Sequence, residues 1–387
     1  MRQGLWASVG LSYGAGRFFL DKRVEPSSLT VQVNPRFLAQ ANVNKWLSAL
    51  SEGRSVFFPE VIKEQVHWSR LDAEALKPEA EAPEWGLERI RASEPVKSFF
   101  FSPRERVATF PEKMEPGETE KRVLLGAKGC DVVALRVHRQ MFLEGDFKDE
   151  FYERRRANTA IIVADCPSPG ENCFCNLVGH KPFVDEEYKD EADVSLSVVK
   201  DGWLLEPLTP LGEELVGLAD TSDPAAGHLD GRIEARERAK ARLKDINPKG
   251  WNPDPPPPPD RSDPLAERIA KRQTDEEFWA KHGADCVECY GCLMGCPTCY
   301  CFLLYDKSKE EGMERTKVWD ACYIAAYARV GGGANPRSEF VKRFYNRFYC
   351  KFSHYRTWQG MYACTGCGRC IAACMGKIDI RKVLLEV

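Results

Sequence analysis

The chain has 387 residues and a formal net charge of −3, with 43% hydrophobic and 29% charged residues. That length exceeds one comfortable core and favours two or three units. The near-neutral balance gives no electrostatic reason to seek nucleic acid, and apolar runs such as Ala160 to Val163 or Val198 to Leu205 are too short or too interrupted to cross a bilayer, so neither partner is expected.

The opening Met1-Arg2-Gln3-Gly4-Leu5-Trp6 carries no secretory pattern, and a cytoplasmic location is expected. In that setting the 16 cysteines are metal ligands before they are disulfides. Gly10, Gly14 and Gly16 do not form a dinucleotide fingerprint and are read as a turn. Apolar runs then alternate with turn signals at Ser98 to Phe101, Arg122 to Leu125 and Ala160 to Ala164. Val194 to Val199 and Trp203 to Leu205 flank Lys200-Asp201-Gly202, the pattern of a hairpin. Helical periodicity at Val132 to Phe142 and Glu213 to Ala219 makes the N-terminal part, residues 1–243, a mixed α/β domain, and the chain as a whole α+β. Glu234 to Leu243 reads as a charged, solvated helix. It leads into residues 244–264, where Pro255 to Pro259 preclude helix or sheet and predict a stiff linker.

Residues 265–387 carry the most specific signal. Cys286, Cys289, Cys292 and Cys296 stand as C-x2-C-x2-C-x3-C followed by Pro297, and Cys364, Cys367, Cys370 and Cys374 repeat that spacing, with Met375 in the proline's place. This is the run that binds [4Fe-4S] clusters in two-cluster ferredoxins, where the fourth cysteine of each run serves the other cluster. The expected sets are therefore Cys286, Cys289, Cys292 and Cys374, and Cys364, Cys367, Cys370 and Cys296. Gly366 and Gly368 supply the tight backbone. Zinc sites usually separate two CxxC pairs by a loop, which this spacing does not do. Helices are expected over Trp319 to Val330, ended by Gly331 to Pro336, and over Phe340 to Phe352, making the domain mostly α-helical. Arg343, Arg347, Lys351 and Arg356 interleave with Phe344, Phe348, Phe352 and Tyr355; the expectation is an amphipathic helix whose aromatics pack on the clusters and whose cations offset cluster charge. Cys299, Cys301, Cys322 and Cys350 could bind another metal, but the favoured reading is packing residues near the clusters.

The last four cysteines, Cys130, Cys166, Cys173 and Cys175, lie among Gly, Pro and Asn in the N-terminal part. Four thiolates satisfy one cubane, and a third [4Fe-4S] cluster is the expectation. Cys166 would follow the strand at Ala160 to Ala164, and Cys130 would stand at a helix start, where partial positive charge favours thiolate. The spacing alone leaves a zinc site or unligated thiols open.

Cys-Pro-Thr-Cys-Tyr-Cys-Phe at 296 to 302, Val-Trp-Asp-Ala-Cys at 318 to 322, Gly-Gly-Ala-Asn-Pro-Arg at 332 to 337 and Cys-Thr-Gly-Cys-Gly-Arg-Cys at 364 to 370 together resemble the iron-sulfur electron-transfer subunits of cytoplasmic sulfhydrogenases (beta subunit) and of anaerobic sulfite reductase. Gly-Cys-Asp at 129 to 131 and Cys-Phe-Cys at 173 to 175 resemble the same family. The resemblance implies a subunit without substrate chemistry of its own, relaying electrons between a flavoprotein that handles NAD(P)H and a catalytic subunit, either a [NiFe]-hydrogenase or a sirohaem sulfite reductase. It also favours the third cluster. A free-standing multi-cluster carrier, or a relay in a different redox complex, is the alternative. An enzyme in its own right would need a substrate site, and no nucleotide or flavin motif stands beside the cysteines.

Overall fold

The computed structural model describes residues 34–72, 76, 84–112, 114, 117, 119–247 and 263–387. The glycines at 10, 14 and 16 and the proline run lie outside the described residues; Lys244 to Asn247 and Asp263 bound the latter.

The N-terminal part is built on a seven-stranded sheet. It begins with β1 (Arg36–Ala39), α1 (Val43–Ser51), β2 (Ser55–Ile62), β3 (Gln65–Arg70) and β4 (Arg104–Phe110), and continues with β5 (Arg122–Ala127), α2 (Gly129–Phe142), α3 (Glu150–Ala157) and β6 (Thr159–Ala164). The hairpin β7 (Val194–Val199) and β8 (Gly202–Pro207), α4 (Pro210–Gly217) and the long α5 (Ala226–Ile246) complete it. The strand order is β1-β8-β7-β6-β5-β2-β3, with β2, β5, β6 and β7 parallel. β6 is buried along its whole length, as a parallel strand covered on both faces should be. One face packs Val123, Leu125, Ile162 and Leu196 against Trp46, Leu47 and Leu215. The other packs Leu124, Ile161 and Val163 against Val132, Leu135 and Tyr152. Each such side chain contributes about 1.5–3 kcal/mol by leaving water. The hairpin forms as expected, with Asp201 in the left-handed region at φ 62°.

The C-terminal part contains α6 (Pro264–Lys271), α7 (Glu276–Gly283), the short α8 (Gly291–Met294), β9 (Phe302–Lys309), β10 (Gly312–Trp319), α9 (Phe340–Phe348), α10 (Tyr355–Gln359), α11 (Arg369–Ala372) and α12 (Ile380–Glu386). Two sequence expectations change here. Trp319 ends a strand, and the stretch after it forms separate turns, Ile324 N to Ala321 O (2.9 Å), Tyr327 N to Ile324 O (2.9 Å) and Arg329 N to Ala326 O (3.0 Å), where an α-helix would repeat i to i−4. The expected helix at 340–352 is α9 followed by a π-helical segment, Tyr349–His354.

The described residues form one compact unit, and the parts on either side of 244–264 share structure. β10 lies between β9 and β4, so a strand from before the proline run pairs with the C-terminal hairpin. Buried Lys317 of β10 ties that hairpin to Glu105 (3.0 Å) and Asp149 (2.5 Å). Phe174, Leu177 and Val178 enter the same core as Ile269, Trp279, Phe344, Phe348 and Leu384.

Candidate iron-sulfur sites

Cys286, Cys289, Cys292 and Cys374 line one cavity together with Tyr290, Tyr323, Phe344 and Arg347. Glu288 (φ 48°) and Tyr290 (φ 60°) are left-handed, which curls the run so that its three cysteines face inward. Cys374 arrives from the second run, and its sulfur accepts the Ile378 N–H at 3.2 Å. Arg347, only 6% exposed, faces Cys292 and also Cys370 of the neighbouring set; those thiols help hold its guanidinium charged against burial.

Cys296, Cys364, Cys367 and Cys370 form the second group. Cys364 faces Cys370 and Cys296, and Cys370 faces Cys367 and Cys296. Burial pushes the Cys370 thiol up to about 12. Cys296 goes the other way, held well below the ordinary thiol value by contact with Cys299, by Lys351 and by Thr298. The Lys351 ammonium lies 3.3 Å from the Cys296 sulfur and donates to Thr298 Oγ1 (2.9 Å) and Ala363 O (3.1 Å).

Cys130, Cys166, Cys173 and Cys175 line a third cavity, with Arg91, Lys128 and Cys367. β5 and β6 end side by side and deliver Cys130, at the start of α2, and Cys166 to the carboxyl edge of the parallel strands, where open α/β sheets place their ligands. Burial pushes all four thiols up, Cys166 to about 11. A bound cation reverses that, because metal coordination deprotonates a thiol outright. Lys128, 1% exposed, donates to the carbonyls of Leu87 and Asp165 (2.8 Å) and faces Cys166 and Cys130.

The second and third groups meet back to back. Phe174 N donates to Gly366 O at 2.8 Å. A Cβ on Gly366 (φ 63°) would fall 2.5 Å from the Cys175 backbone, and one on Gly368 (φ 71°) would fall 2.1 Å from Asn172 O, so both glycines are needed for this approach as well as for their own backbone. Arg369, 3% exposed, pairs with Asp131 (3.0 Å) and faces both Cys367 and Cys130.

The donor chemistry fits iron-sulfur clusters. Among the described residues no three His, Cys, Asp or Glu side chains converge on a single metal-ion position. The thiols of the first and third sets line cavities, as ligands of the separate irons of a cubane do, whereas tetrahedral zinc draws four sulfurs to ~2.3 Å from one point. Sequence reasoning placed Arg347 and Lys351 near the clusters but missed Arg91, Lys97, Lys128 and Arg369, isolated cations with no periodicity to mark them. Arg369 could have been found, since it lies inside the second run. Arg343 pairs with Glu288 (2.8 Å) and Arg356 with Asp263 (3.3 Å).

A fold whose C-terminal part presents two interlocked cysteine runs defines an iron-sulfur protein, and residues 285–378 match the family model of the 4Fe-4S dicluster domain. The chain is 31% identical over 311 residues to the sulfhydrogenase 2 subunit beta of Pyrococcus furiosus, an alignment covering 79% of this chain and 86% of that one. It belongs to that iron-sulfur beta-subunit family. No solved structure matches it. As an iron-sulfur electron-transfer subunit it carries [4Fe-4S] clusters, and no helix among the described residues is long and apolar enough to cross a membrane.

Proposed function

We propose that this chain is the electron relay of a multisubunit cytoplasmic oxidoreductase, passing electrons between a flavoprotein that handles NAD(P)H and a catalytic subunit of the [NiFe]-hydrogenase or sulfite reductase type. Its ligands are Cys286, Cys289, Cys292 and Cys374 for one [4Fe-4S] cluster, Cys364, Cys367, Cys370 and Cys296 for the second, and Cys130, Cys166, Cys173 and Cys175 for the third. When bound, each cluster supplies reversible one-electron chemistry; the protein sets its potential through burial, nearby charge and hydrogen bonds to sulfur.

The observation that carries this reading is continuity. Arg347 faces the first and second sets through Cys292 and Cys370, and Arg369 faces the second and third through Cys367, to which it is hydrogen-bonded, and Cys130. Three redox centres joined in series make a conductor, and Cys289, exposed at one end, gives it a contact with solvent or partner. Native protein purified anaerobically from its source, with its stoichiometric companions identified by mass spectrometry, tests the assignment. A flavoprotein together with a hydrogenase large subunit or a sirohaem protein is expected. A lone chain would overturn the complex and leave a free-standing carrier.

A further inference from the structure

Four cysteines remain after twelve have been assigned, and they too are gathered. Cys299 and Cys301 precede β9, Cys322 opens the turns after β10, and Cys350 lies on the π-helical segment. The sulfurs of Cys301 and Cys322 are in hydrogen-bond contact, and Cys350 faces both of them. Cys299 shares a buried lysine with each neighbour: Lys97 faces Cys299 and Cys301, and Lys351 faces Cys299 and Cys350. We propose that Cys299, Cys301, Cys322 and Cys350 hold a fourth iron-sulfur cluster, beside the one that includes Cys296, with Lys351 between the two.

Three observations support the site. Lys97 and Lys351 are 2% and 6% exposed, and burying an ammonium is costly unless an anion compensates it. Among the described residues neither lysine pairs with a carboxylate; Lys97 donates to the carbonyls of Leu293 and Cys299, and Lys351 to Cys296 Sγ, Thr298 Oγ1 and Ala363 O. Lys97 also lies over the Trp319 ring (4.3 Å) and Lys351 is shared with Cys296 of the second set, so the two lysines sit where sulfur from both sets gathers, a placement that metal-bound thiolates on both sides would suit. The π-helical segment is a second sign, since such segments cost regular hydrogen bonding and concentrate at functional sites; this one presents Cys350 and Lys351 together. Third, the Cys299-x-Cys301 pair repeats the spacing of Cys173-x-Cys175.

The inference rests on the iron-sulfur reading of the chain, and one set of measurements separates their failures. Iron, acid-labile sulfide and zinc are counted on the anaerobically prepared full chain, wild type and two double variants. Four cubanes predict about 16 iron and 16 sulfide in the wild type. Cys301→Ser/Cys350→Ser should lose about 4 of each, and Cys130→Ser/Cys173→Ser should lose a separate group of about 4. The wild-type count needs no substitution, so it stands even if a variant fails to fold. About 12 iron in the wild type with a loss of about 4 in Cys130→Ser/Cys173→Ser, an unchanged count in Cys301→Ser/Cys350→Ser, zinc in place of the lost iron, or a Cys301–Cys322 disulfide in non-reducing peptide mapping would each overturn the fourth cluster alone. Fewer than about 8 iron would overturn the relay reading itself.

Discussion

The first cysteine set and the third are assembled by opposite means. Cys286, Cys289 and Cys292 come from one loop bent by two left-handed residues and need only Cys374 from elsewhere. Cys130, Cys166, Cys173 and Cys175 meet because two parallel strands end together and a separate loop is pressed against them by the second run. A local site is written in residue spacing; a tertiary site is written in a sheet. The third set should therefore be the more sensitive to changes at the seam between the two parts of the chain.

The largest expected effect tests that sensitivity directly. Gly368→Val puts a branched side chain at φ 71° and into Asn172 O. It should destabilise the protein by about 3 kcal/mol or more, with loss of iron from the second and third sets and retention in the first. Thermal unfolding and iron content check it; unchanged iron would mean that the seam is not what holds the third set together. Next comes Arg369→Leu, which takes the ion-pair partner from Asp131, 1% exposed and left, among the described residues, with only the Lys128 N–H (3.2 Å), and removes a donor to Ala92 O. Breaking a buried pair by removing one partner costs about 3–5 kcal/mol, and the denaturant midpoint should fall accordingly without a change in the slope of the transition.

The cations that face more than one set separate the regions by potential. Reduction adds negative charge to a cluster, so removing a neighbouring buried cation should lower its potential, by an amount on the order of 50 mV for a charge several ångströms away at an intermediate dielectric. Arg347→Leu should lower two centres, those of Cys292 and Cys370, and leave the N-terminal one in place. Lys351→Met should lower the centre that includes Cys296 and Cys364 and, with it, the one held by Cys299 and Cys350. A redox titration followed by electron paramagnetic resonance reads each shift; a uniform shift of every centre would show a conformational effect in place of a local charge.

How much of this was legible in the sequence follows the same division between local and tertiary. The two runs, the hairpin across Asp201 and the helix at Val132 to Phe142 are specified by residues close in sequence, and the structure forms that hairpin and helix. The stretch from Trp319 to Val330 has a helical composition, with Ala321, Ala325, Ala326 and Ala328, yet folds as turns. Its first two amides are taken from outside, Trp319 N by Pro103 O (2.9 Å) and Asp320 N by Cys301 O (3.0 Å), and Tyr323 is buried in the core of α7 and α9, so packing overrides propensity. β9 was missed because it is exposed almost throughout and lacks the apolar alternation that identifies a strand. Lys128 and Lys97 look like ordinary surface lysines in the sequence; only the fold shows them buried against cysteines.

The smallest expected effect has the opposite sign. Glu288 is 36% exposed in its side chain, pairs with Arg343 and faces Cys286 at the exposed end of the first set. Glu288→Gln removes a negative charge there, so the first centre should rise in potential, and solvent screening should keep the rise to about 20 mV or less. Stability should change by no more than about 1 kcal/mol, because Arg343 still donates to Ser338 O and to Arg337 O at 3.2 Å. The rise should shrink as salt is added, while the Arg347→Leu shift, made in a buried site, should hold nearly constant. Equal salt dependence in the two variants would mean that water reaches Arg347 as freely as it reaches Glu288, and would remove the distinction between an exposed terminus and a shielded interior on which the series arrangement depends.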